Sequence, residues 1–490
     1  MCPLLRVIFI IVVCCFGATS GVVAQQSSPG TEDLSTLSRE LQQTRSELAE
    51  SQRQIQQLRA DLGKVEQQLQ ARTPADPADP DPAPTVASAD QDVGFLAAKV
   101  SELHQDKVES ASKYPVKLSG LILFNSYVNG GSVASQDLPV LAFPKTAGSA
   151  NGSIGATLSQ TLLGIEVKGP KLLGAQSSGD ASIDFAGGYP TTPYGITAGL
   201  IRLRTASVRL DWSKTSLQIG QDTPFFSPLS PTSYATVAEP AFSWAGNLWV
   251  WTPQIEIERR IALTSDSSLV LQTGLLDPLT EETPAFQIRT ASAGEATRVP
   301  AVAGRIAWQH ASSSRLPFAV GIAGYHARQR YDALPEIDSW TVNSDFDLKP
   351  SRYLEFSGEW YEGQAVGGLG GGIWTSVVYP DTTEPHTAIH PLRSTGGWAQ
   401  IKVKPSLQWE VNMALGQDEN YGRDLRFFPI SYTDYGSTPF QKNHASFINA
   451  IYRPKTSLLF AVEYRRLFTA PSTGESATGD QLNLAAGVQF

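Results

Sequence analysis

Ionisable side chains recur at every second position in several stretches of this sequence. Glu256, Glu258 and Arg260 alternate with Ile255, Ile257 and Ile261, and Asp345 and Asp347 oppose Trp340, Val342 and Phe346. Glu355 and Glu359 oppose Leu354, Phe356 and Trp360, while Glu410 opposes Leu407, Trp409, Val411 and Met413. Glu463 and Arg465 oppose Phe460, Val462 and Tyr464, and Arg209 opposes Val208 and Leu210. Carboxylates and guanidiniums do not face hydrocarbon cheaply, so two faces of one strand must meet different media. Charges of both signs on a wet wall set up a transverse field that sorts solutes by charge and orientation. The structural alternative is that they pair to brace the wall. Arg202 and Arg204 break the pattern, because they share the parity of Val208 and Leu210. A register break, or a position above the apolar band, would account for them.

Catalytic arrangements are absent from this inventory. There is no Gly-x-Ser-x-Gly elbow, His-Glu-x-x-His or phosphate-cradling glycine loop. The six histidines are scattered, and His310, His326 and His444 fall near strand ends among hydroxyls, the only positions that a surface hydrolase would use. No metal-ligand spacing occurs, so neither metal nor cofactor is expected. With Lys+Arg 38 against Asp+Glu 47, the net charge is −9 and no basic stripe points to nucleic acid.

The elements that must position these residues are strands. Charged residues make up 17% of the 490, below the roughly 25% of ordinary soluble domains. The last ten residues, Gln481 to Phe490, alternate Leu482, Leu484, Ala486, Val488 and Phe490 with a mostly polar second face. From Tyr114 onward this period of two persists. Tight connections such as Ser213-Lys214, Ser265-Asp266, Ser312 to Arg315, Lys349-Pro350-Ser351, Lys404-Pro405-Ser406 and Arg453-Pro454-Lys455 take turns with long ones near 129–155, 223–253, 276–299, 363–395 and 417–443. That asymmetry predicts an all-β transmembrane antiparallel barrel over 114–490, of about sixteen strands, with eighteen also compatible. Trp212, Trp308 and Trp409 then fall at the short-turn ends, and Trp340, Trp360 and Trp398 at the long-loop ends, as two interfacial girdles require.

Upstream, the pattern changes. Arg6, the apolar run Val7 to Phe16 and a cut after Ala24 read as a signal peptide over 1–24, which also removes Cys2, Cys14 and Cys15. Between 31 and 72, Leu34, Leu41, Leu48, Ile55, Leu62 and Leu69 keep a heptad with Leu37, Thr44, Ser51, Leu58 and Val65 on the neighbouring seam position, the polar Thr44 and Ser51 weakening its middle. This predicts a periplasmic α-helical coiled coil roughly 55–60 Å long, and partner helices to complete it. Residues 73–112 read as a Pro/Asp-rich strut followed by a short helix or plain linker.

The connection from Asp222 to Pro253, the third long loop, is unusual. It holds Phe225, Phe226, Phe242, Trp244, Trp249 and Trp251, with Asp222 and Glu239 its only charges. So many aromatics must be packed. Two readings are open: the loop folds inward and narrows a channel, or it latches one subunit onto another.

Heptad, linker, barrel and terminal Phe490 together resemble trimeric outer-membrane porins, DcaP-like and phosphate-selective O/P-type porins among them. The resemblance implies a sixteen-stranded homotrimer in the bacterial outer membrane, with lipid around it, a third loop constricting each pore, and passive diffusion of small hydrophilic, often anionic, solutes. It supplies no substrate-site residue, and the acidic lining departs from a phosphate preference. A second reading is an envelope tether, in which the barrel anchors the coiled coil as a periplasmic spacer.

Overall fold

The computed structural model describes residues 114–148, 150–189, 199–282, 289–311, 317–332, 334–380, 388–431 and 438–490. The signal segment, the heptad region and the strut lie outside these residues, as does the Ser312 to Arg315 turn. The sheet has seventeen segments, two of which form one interrupted strand, so the wall has sixteen strands. They are β1 (Val116–Gly130), β2 (Gly152–Thr157 with Leu162–Leu172), β3 (Ala175–Asp184) and β4 (Arg202–Asp211). Next come β5 (Thr215–Asp222), β6 (Thr252–Ala262), β7 (Ser267–Leu276) and β8 (Ala301–His310). The series continues with β9 (Phe318–Gln329), β10 (Ile337–Ser351), β11 (Leu354–Gln364) and β12 (Arg393–Val403). It ends with β13 (Trp409–Asn420), β14 (Phe440–Lys455), β15 (Leu458–Pro471) and β16 (Ala477–Gln489).

Each strand pairs antiparallel with the next, and β16 pairs back onto β1 from Leu121↔Gln489 to Gly130↔Asp480. The Gly120 N–H donates to the Phe490 carbonyl at 2.8 Å, and the Phe490 N–H donates to the Gly120 carbonyl at 3.0 Å. Closure leaves no unpaired sheet edge, which an open sheet of this width could not avoid. Alternation then sorts the side chains. Ile122 is 51% exposed on the outer face, whereas its neighbour Leu123 is fully buried within. Val208, Ile255, Ile257, Ile306, Ile322, Val342, Met413, Ile448, Val462 and Leu484 continue the apolar outer face.

Three expectations need correction. Trp398 is buried and points inward, packing with Phe242 and Ala245, so it belongs to no outer girdle; Trp360, Trp308 and Trp409 do face outward. Pro350 and Pro454 do not make turns. Both lie inside long strands where the register shifts, between Leu348 and Ser351 and between Tyr452 and Lys455. A proline has no N–H for the ladder and is tolerated at such irregularities. Leu407 and Gln408 precede β13 and form part of its turn.

Candidate functional site: the barrel interior and its third loop

The connection between β5 and β6, residues 223–251, runs inside the barrel and is tied to lumen-facing side chains far apart in sequence. At its start Phe225 and Phe226 pack against Ala301, Ala303, Ala323 and Tyr325 of β8 and β9. The Ser227 hydroxyl and the Leu229 N–H then donate to the two carboxylate oxygens of Glu359, at 2.6 and 2.7 Å. The Thr232 N–H reaches Gln400 of β12 at 2.7 Å, and its carbonyl accepts from Asn449 of β14. Ser233 donates to Glu463 at 2.6 Å, and Arg465 donates to Ser233 and Thr236. Asn125 of β1 holds the Tyr234 carbonyl. The loop therefore follows the inner wall from β8 past β16 to β4.

Gln160 supplies the next mooring, and the fold creates it by a defect. Residues 158–161 leave the ladder between the two halves of β2, and the fully buried Gln160 side chain bonds the Ala235 carbonyl and the Ala238 N–H. Such a bulge re-aims a side chain that regular pairing would point elsewhere. A second irregularity resolves Arg202 and Arg204. The β3–β4 register slips between Ser182 and Ile183, which turns both guanidiniums inward. They share the buried Asp184, at 2.8 and 3.4 Å, and donate to the Ala238 and Val237 carbonyls at 2.7 Å each. Both also lie over the Trp251 ring, at 5.1 and 4.5 Å.

The remaining charged candidates fall into two groups. Glu359, Glu463 and Arg465 hold the third loop, with Arg465 also paired to Glu463 at 2.7 Å. Asp345 takes a two-point ion pair from Arg305, at 2.6 and 2.9 Å, both residues being buried. On the barrel wall outside these moorings, Arg209 pairs with Asp211 and bonds Gln218, and Arg260 pairs with Glu258 at 2.6 Å. Glu256 accepts from Gln272, and Asp222 accepts from Gln218 and from the Thr223 N–H. Glu355 sits between Lys402 and Lys404, Glu410 faces Arg453 at 3.6 Å, and Asp347 holds Lys349. Glu239 is half-buried and accepts from the Ser243 hydroxyl at 3.4 Å, and burial pushes its carboxyl up from the ordinary value. Trp244 stacks on Trp374 of the sixth loop.

Periodicity does not single out Arg305, Asp184, Gln160, Asn125, Gln400, Asn443 or Asn449, although each holds a key contact. Neutral amides carry no charge signature, and the partners lie up to 358 residues away, as for Asn125 and Asn483. The histidines stay apart: His310 bonds Ser267 at 2.8 Å, and His326 lies 3.4 Å from the exposed Asp338. Among the described residues, no three His, Cys, Asp or Glu side chains gather at metal-binding distance.

No family model matches this sequence, and no curated protein matches it. Solved structures do. The outer membrane channel DcaP of Acinetobacter baumannii superposes with a TM-score of 0.58 at 17% identity, over 78% of this chain and 99% of that one. An anion-selective porin from Comamonas acidovorans gives 0.49 at 10% identity, over 77% and 100%. Pseudomonas putida OprB gives 0.47 at 9% identity, over 81% and 97%. The DcaP likeness establishes a shared fold, the closed antiparallel barrel of sixteen strands.

Proposed function

We propose that the protein is a passive channel of the bacterial outer membrane, through which small hydrophilic solutes diffuse. One observation carries this reading: a closed wall with an apolar outer face and a polar inner face, narrowed by a loop moored inside. The outer band suits lipid, and the inner face suits water. Glu359, Gln400, Glu463, Asn125, Gln160 and Arg204 fix the third loop as the constriction. Arg209, Asp222, Glu256, Glu258 and Arg260 then line the passage beside it. This course favours the constriction over an inter-subunit latch, because the loop's donors and carbonyls are spent on its own barrel.

On this reading the chain assembles as a homo-oligomer, a trimer by analogy with trimeric porins, and residues 31–72 form a coiled coil on the periplasmic side. The test is ion conductance of the purified, folded protein in planar bilayers. Discrete, ohmic steps are expected; a folded oligomer that never conducts would sink the proposal. Removing residues 25–112 distinguishes assembly from spacing. Loss of oligomers assigns the coil to assembly, and intact oligomers with altered envelope spacing assign it to a tether.

A further inference from the structure

Four tryptophans meet where the third loop touches the sixth, residues 365–392. The Trp244 and Trp374 rings stack 5.4 Å apart at 12°. Trp249 lies 6.2 Å from Trp374 and meets Trp251 edge-on at 5.1 Å. Trp249 is buried beneath, while Trp244, Trp251 and Trp374 are each partly exposed. The turn that presents Trp374 is strained. Ile373 and Trp374 have φ of 52° and 61°, which bulky and β-branched side chains rarely adopt. Backbone held in such regions clusters at ligand-binding sites.

Three buried wall residues hold the strain in place. Tyr361 donates to Asp418 at 2.7 Å and accepts from the Gly372 N–H at 2.9 Å. Asp418 also accepts from the Ile373 N–H at 3.3 Å, and Asn420 donates to the Gly372 carbonyl at 2.9 Å. All three side chains are at most 1% exposed. The network is not fully satisfied, since the Asn420 side-chain oxygen has no hydrogen-bond partner, and what it fixes is one indole laid flat on another.

We propose that Trp244 and Trp374, where the third and sixth loops meet, form a stacking platform for an uncharged, hydroxyl-rich ring of the pyranose type. The inference rests on the channel reading and names a class of solute for it. Aromatic faces take up the flat C–H side of such a ring while its hydroxyl rim stays wet. Charge gives the platform little to select with. Arg202 and Arg204 are committed to Asp184, two loop carbonyls and the Trp251 ring.

Titration calorimetry of the full chain in detergent tests this without requiring conductance. Saturable heat is expected with maltotriose and none with mannitol, an acyclic polyol. Trp374→Ala should weaken maltotriose binding about tenfold, the size of one lost stack, while Trp374→Phe keeps most of it. No saturable heat, equal heat from mannitol, or an unchanged Trp374→Ala variant would overturn the proposal. So would binding of benzoate alone, since that would make the platform an aromatic-anion site. Binding by a protein that never conducts would leave the platform standing and remove the channel; conductance without binding would do the reverse.

Discussion

Glu359 tethers the third loop at two points, and its removal gives a quantitative prediction. The carboxylate accepts two short bonds from the loop, 2.6 Å from Ser227 and 2.7 Å from the Leu229 N–H. Hydrogen bonds of this kind contribute about 0.5–1.5 kcal/mol each. The Thr232–Gln400 and Ser233–Glu463 contacts persist, so Glu359→Ala should cost the local segment roughly 1–3 kcal/mol. At about 1.4 kcal/mol per decade, the Leu229 amide should exchange with solvent roughly five- to a hundredfold faster. Glu359→Gln keeps an acceptor and should fall between the two. Hydrogen exchange read by mass spectrometry on the intact protein measures this directly. An unchanged exchange rate in 227–229 of a folded Glu359→Ala variant would refute the mooring argument, because the loop would then be held by packing alone.

Other expectations concern stability and pH. Removing one partner of the buried Arg305–Asp345 pair should destabilise the barrel by about 3–5 kcal/mol, and the Arg305→Met, Asp345→Leu double variant by clearly less, in thermal melts. Glu281 of the fourth loop accepts from the Ser376 N–H and hydroxyl at 2.7 Å each, with no cation among its strongest electrostatic neighbours. Burial, reinforced by Glu282, pushes its carboxyl up to about 7. A carboxyl raised in the folded state is penalised above that value and relieved as pH falls from about 7 towards its ordinary range. The contact between the fourth and sixth loops should therefore weaken from pH 6 to pH 8, and Glu281→Gln should abolish that dependence in melts at the two pH values. Arg204→Ala removes the donor to the Val237 carbonyl and the cation over Trp251, and should increase open-channel current noise more than Arg209→Ala.

The alternation of side chains is a local property, and its consequences were readable directly. Ile255 and Glu256 must lie on opposite faces of a strand whatever surrounds them, so the two-sidedness of the wall followed from spacing. The packed state of the third loop was readable too, from seven aromatics in a stretch with two charges. Its route was not. Ser227 meets Glu359 across 132 residues, and Ser233 meets Glu463 across 230. Nothing in either stretch names the other, because contacts between distant segments depend on closure of the whole wall.

Tertiary structure likewise reassigned individual residues. Trp398, read as a girdle residue, turns inward because its strand parity places it with Gln400 and Lys402 rather than with Ile401, and its partners there, Phe242 and Ala245 of the third loop, depend on the closed barrel. The bulges at Gln160 and at Arg204 each add residues that local propensity does not reveal, and each reverses or redirects a face. By itself, then, the order of residues determined a two-faced wall and a loop that had to be packed. Only the closed barrel decided which carboxylates are ion-paired, which hold the loop, and where four tryptophans meet, since those outcomes depend on strands brought together from opposite sides of the circle.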